Sequence, residues 1–121
     1  MVWSYRERSV EFRVVGPTLI QVVRGVKRGA ARDYDHTCGL DVLQEVAWFL
    51  QEATAGTTTG ELYEAFPDFP RTQISVALAF LKETDVATVI RRRVHPATPC
   101  TFEDAMIEFY WLQHKATLCG T

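Results

Sequence analysis

The stretch TTTGELYEAFPDFPRTQISVALAFLKETDVATVIRRR, residues 57–93, decides the fold. Thr58 or Thr59 can cap a helix. Glu61, three residues after Thr58, has the spacing of a capping box, in which hydroxyl and carboxylate each satisfy a free backbone amide. Leu62, Tyr63 and Phe66 follow as a short apolar stripe. The PDFP segment at 67–70 stops that helix, because Pro67 and Pro70 leave no path for a continuous hydrogen-bond ladder. Pro70 opens a second helix in which Ile74, Ala77, Leu78 and Leu81 recur at helical spacing. Residues 86–95 return to β-branched side chains and predict a strand.

Immediately upstream, residues 40–53 give the clearest helix of the chain. Leu40, Leu43, Val46, Ala47 and Leu50 line one face, and Gly56 is a stop. The order is therefore long helix, short helix, tight turn, helix, basic strand, which is that of a helix-turn-helix followed by a wing. The stretch resembles the winged-helix family of bacterial and archaeal DNA-binding regulators, over residues 40 to about 95 of the 121. Thr59 precedes Glu61-Leu62 as in that family, and Ile74, Leu78 and Leu81 fall at the buried places of its second helix. Lys82-Glu83-Thr84-Asp85-Val86 stands where the family has two charged residues, a small one, a glycine and an apolar one, with Asp85 in the glycine's place.

The resemblance implies that the second helix enters the major groove of double-stranded DNA, as in a transcriptional regulator. By position, Arg71, Thr72, Gln73 and Ser75 would face the duplex. Arginine and glutamine suit that place, since they make paired hydrogen bonds to guanine and adenine edges. Arg91, Arg92 and Arg93 would lie on the wing. In an extended strand Arg91 and Arg93 share one face and Arg92 takes the other, open to an acidic neighbour from residues 33–70.

The flanks complete an α+β, mostly α architecture: a winged helix-turn-helix core with an N-terminal β-strand segment and an extra C-terminal helix. The chain reads as a single domain, 1–121, divided into an extension (1–35), a core (40–98) and a final helix (101–117). Residues 9–15 alternate Val10, Phe12 and Val14 with polar residues, as a half-buried strand does. Residues 18–29 read as a helix from Pro17 at the first turn and Gly29 as a stop, or as a strand paired back on 9–15 from their β-branched content. The end signals tilt the reading to helix. Residues 30–37 read as a polar loop.

The final helix starts with Thr101 and Asp104 at capping-box spacing and carries Phe102, Ala105, Met106, Phe109, Leu112 and Ala116 on one face. Ile107, Tyr110 and Trp111 lie off that face. A helix apolar all round wants more than one partner surface, so it is expected to be sandwiched, either between the domain and its N-terminal segment or in a homodimer, with Phe109, Tyr110 and Trp111 as candidate interface contacts.

Charge is unevenly placed. Residues 1–32 hold seven Lys/Arg against two Glu, net +5; residues 33–70 hold eight carboxylates and no Lys or Arg; residues 71–95 hold five cations against two carboxylates, net +3. The whole chain is at −2, so any attraction to a polyanion is local. On the second helix, Val76, Ala79 and Phe80 fall where relatives keep polar residues. An apolar face there suits a protein partner, and Phe80 is a candidate contact of the alternative reading, a winged-helix protein-interaction module that binds no DNA.

No Gly-rich phosphate loop, H-E-x-x-H pair or nucleophile elbow is present, and the reading is not an enzyme. His36/Cys38, His95/Cys100 and His114/Cys119 match no compact zinc spacing, so no metal or cofactor is assigned. No apolar run is long enough to cross a membrane, and the N-terminal segment does not resemble a signal peptide. The expected compartment is the cytoplasm.

Overall fold

A computed structural model describes residues 8–25 and 33–118, which form an α+β fold of four helices and two antiparallel sheets. In chain order these are β1 (Arg8–Val15), β2 (Thr18–Gly25), β3 (Asp33–Gly39), α1 (Leu40–Glu52), α2 (Thr59–Ala65), α3 (Arg71–Glu83), β4 (Ala87–Ile90), β5 (Arg93–Pro96) and α4 (Thr101–Leu118).

The N-terminal segment is a three-stranded meander with β2 at its centre. This corrects the helix expected over 18–29. Gly16, at φ +58, and Pro17 form a two-residue turn that returns the chain directly onto β1, with Val15 opposite Thr18. Glycine first in such a turn matches the twist of the flanking strands. The turn thus gives Pro17 a role other than opening a helix. The loop expected over 30–37 is likewise corrected, since Asp33–Gly39 is β3, paired with β2 along its whole length. Its exposed positions are polar, which hid it from a search for apolar alternation. Residues 26–32 lie outside the described residues.

One face of this sheet is apolar. Val14, Leu19 and Cys38 are buried and sit in register across the three strands, and Phe12 lies beside them. That face packs on α3, with the Phe12 ring edge-on to Phe80 at 5.4 Å between centroids. α3 is consequently sandwiched. Ile74, Ala77, Leu78 and Leu81 belong to its inner face as the periodicity predicts, and Val76 and Phe80 are buried as well. α4 packs against α1 and β1.

The capping box of α2 forms as read: the Glu61 amide donates to Thr58 Oγ1 and the Thr58 amide to Glu61 Oε1, both at 3.1 Å. At α4 the expected Thr101–Asp104 box is replaced by a different closure. Thr98 Oγ1 donates to Asp104 Oδ2 at 2.7 Å, and Thr101 Oγ1 donates to the Thr98 carbonyl.

The single strand expected over 86–95 is a hairpin. β4 and β5 pair with Ile90 opposite Arg93, leaving Arg91 and Arg92 as a two-residue turn. An isolated bridge ties the hairpin to the segment before α2: Thr57 and Val94 exchange backbone hydrogen bonds at 2.8 and 2.7 Å. Gly56 permits that approach. Its φ is +90, and a Cβ there would stand 2.7 Å from the His95 ring.

Candidate nucleic-acid interface

The exposed arc of α3 is narrow because the helix is covered on two sides. At about 100° per residue, Arg71, Ser75 and Lys82 fall on one stripe, with Thr72 and Glu83 at its edge; all five are exposed. Arg71 lies with its guanidinium 4.9 Å from the centre of the Tyr63 ring, and the Tyr63 hydroxyl is 3.0 Å from Ser75 Oγ. Tyr63, projecting from α2, therefore positions both residues. Lys82 and Tyr63 were missed as site residues. Helical spacing from Arg71 and Ser75 points to Lys82, whereas Tyr63 is linked only through the turn.

Gln73 is taken out of the DNA-facing set. It is half-buried, and its Oε1 accepts a 3.1 Å hydrogen bond from the Gly39 amide. That bond ties the end of β3 to the start of α3. Phe80 is likewise removed from the candidate interface, being 0% exposed under the meander. The apolar α3 face that suggested a protein partner is thus a core face, covered by residues of the same chain.

The arginine triplet divides into two roles. Arg93, at the start of β5, points back to the segment that leads into α2. Its Nη2 donates to the Gly56 carbonyl at 3.0 Å and to Glu61 Oε1 at 3.1 Å. It is Arg93, rather than Arg92, that pairs with the acidic segment. Glu61 thereby links the α2 cap to the hairpin. The Thr58 amide, the Thr57 hydroxyl and the Arg93 guanidinium hold its carboxyl below the ordinary value.

Arg91 and Arg92 are at the hairpin tip with φ +52 and +69, both exposed. They do not lie on alternate strand faces as the sequence suggested, because both belong to the turn. Positive φ at both central residues is the pattern of a type I′ turn, which favours Asn-Gly. Each arginine there carries a steric penalty of roughly 1–2 kcal/mol. Neither pairs with a carboxylate among the described residues. Val89 and Ile90 beside them are each 51% exposed.

On α4, Phe109 is buried against the core, so it is withdrawn as an interface residue. Tyr110 and Trp111 remain, joined by Ile107. These three are 47%, 57% and 64% exposed in that order and share one stripe at i, i+3, i+4.

Burial pushes the Cys38 thiol up to about 12, with Asp41 adding to the effect, so it is protonated at neutral pH and a poor nucleophile. Among the described residues no group of three or more His, Cys, Asp or Glu is placed to hold a metal ion, and no helix is long and apolar enough to cross a membrane. Comparison with protein-family models, with curated proteins and with solved structures finds no match.

Proposed function

We propose that the chain is a winged-helix DNA-binding protein, a transcriptional regulator that meets duplex DNA through α3 and the tip of the β4–β5 hairpin. The element order supports this, as does the Thr57–Val94 bridge, which ties the segment between α1 and α2 to the hairpin at a single residue pair. In this reading Arg71, Thr72, Ser75 and Lys82 present hydrogen-bond donors and positive charge to the groove and its phosphates. Arg91 and Arg92 reach the backbone of the flanking turn of duplex.

One observation carries the reading. Two arginines occupy a tight turn that glycine and asparagine fill with less strain, and among the described residues neither charge has a carboxylate partner. Backbone strain of this kind concentrates at functional sites. A polyanionic partner gives the two charges a purpose that stability does not.

The Ile107, Tyr110 and Trp111 stripe supports a second element of the proposal, a homodimer formed by α4 against its copy. Two-fold pairing buries the same patch on each protomer and sets two α3 helices for two half-sites.

The test is fluorescence anisotropy of a mixed-sequence labelled duplex in 50 mM salt. The wild type is expected to bind, and R91A/R92A to lose at least ten-fold in affinity while its circular dichroism stays unchanged. Absence of binding by the folded wild type overturns the proposal. The α4 stripe then favours the protein-interaction module instead.

A further inference from the structure

The acidic segment has a place in the fold that DNA binding does not use. On the exposed side of α1, Glu45, Trp48, Phe49 and Glu52 follow one another at i, i+3, i+4 and i+7, so they form a single stripe. With Phe66 from the end of α2 they line an open cleft of about 370 Å³. Phe49 meets Phe66 edge-on at 5.6 Å within the cleft, and Phe66 is backed by Phe69, stacked at 5.3 Å. Trp48 stays 50% exposed at the cleft wall, braced edge-on by Phe102 at 5.5 Å. A second cleft of about 670 Å³, running between Thr54 and Pro99, lies on the other side of the shared Glu52 wall and is separate from the first.

The charge of the first cleft is one-sided. Among the described residues the ion pairs are Arg13–Glu11 and Arg93–Glu61, so neither Glu45 nor Glu52 has a cationic partner there. Residues 33–70, which furnish the first cleft, include no Lys or Arg. Carboxylates flanking an exposed indole are complementary to a cation. A guanidinium fits best, because it stacks on aromatic faces and accepts a carboxylate along its edge.

We propose that this first cleft binds an arginine-bearing peptide segment of a partner protein. Seven residues of helix separate Glu45 from Glu52 by about 10.5 Å along the axis. A peptide in the polyproline II conformation makes one turn in three residues and rises about 9.3 Å in doing so, so arginines at positions i and i+3 share one face and meet the two carboxylates together, with the intervening backbone over Trp48 and Phe49. The cleft shares no residue with the DNA-facing set, so peptide and duplex can be held at once.

The experiment uses the full chain as W3F/W111F, which keeps Trp48 as its only tryptophan. The probe is the peptide acetyl-Arg-Gly-Gly-Arg-amide, with acetyl-Gln-Gly-Gly-Gln-amide as the control. The expected result is a saturable change in Trp48 fluorescence with the diarginine peptide alone. E45Q/E52Q in the same background should bind it at least ten-fold more weakly while melting at an unchanged temperature. No saturable response, an equal response to the glutamine peptide, or undiminished binding by E45Q/E52Q overturns the proposal.

Discussion

Replacing Arg91-Arg92 by Asn-Gly separates the stability of the hairpin from its proposed use. Both arginines hold positive φ, at +52 and +69, and a non-glycine residue in that region costs roughly 1–2 kcal/mol. Asparagine relieves part of that penalty and glycine all of it, less about 0.5–1 kcal/mol for the extra freedom glycine gives the unfolded chain. The arginines make no ion pair among the described residues, so little else goes with them. R91N/R92G should therefore be more stable by about 1–2 kcal/mol, a rise in Tm of roughly 3–10 °C for a chain of this size. Its affinity for duplex DNA should fall. The salt dependence should become shallower by about 1.8 in log–log slope, because each cation withdrawn from a phosphate removes about 0.9. Thermal melts and anisotropy titrations on the same preparations give both readings. A variant that is no more stable than the wild type refutes the strain argument, and one that binds duplex with the same salt slope refutes the role of the tip.

Phe80→Ala should cost about 3–5 kcal/mol in urea denaturation, since it empties the space between α3 and Phe12; a cost below about 1 kcal/mol would mean that the meander does not seal α3. I107E/W111E should convert a dimer to a monomer in sedimentation without lowering the monomer's own melting temperature, and a wild type that is monomeric at high concentration contradicts the α4 interface. Glu61 has its folded value below the ordinary 4.5, so its contribution to stability is complete above that pH and is lost as pH falls through the folded value. The stability lead of the wild type over E61Q should accordingly be largest near neutrality and shrink below pH 4.5; a gap that stays constant down to about pH 3 would show that the carboxylate is not held by Thr58, Thr57 and Arg93.

The helical half of the fold was legible because its signals are local. The Thr58–Glu61 box, the two prolines of 67–70 and the stripes of α1 and α3 are all read within a few residues, and each element forms where they place it. The meander was legible only in β1, whose alternation over 9–15 is local; β2 and β3 are specified by their pairing. The proline ahead of β2 suits a helix start as well as a turn, and only pairing with β1 and β3 settles which. β3 shows polar Asp35 to solvent and buries Cys38, a pattern too weak to separate from a loop.

The site divides in the same way. Arg71, Thr72 and Ser75 are exposed where helical spacing puts them. Gln73 and Arg93 are diverted by Gly39, 34 residues away, and Glu61, 32 residues away, which no local pattern discloses. Phe80 looked out of place only while its cover, the N-terminal sheet, was unassigned.

The central claim is that Arg71, Lys82, Arg91 and Arg92 bring the protein to a polyanionic duplex. The salt dependence of binding tests it most directly, since each cation set on a phosphate adds about 0.9 to the slope of log affinity against log salt. Anisotropy titrations between about 50 and 200 mM salt should give a slope near −3.6 for each bound protomer if all four cations are engaged. A folded protein that binds no duplex at about 50 mM, or binds with a slope near zero, contradicts the account.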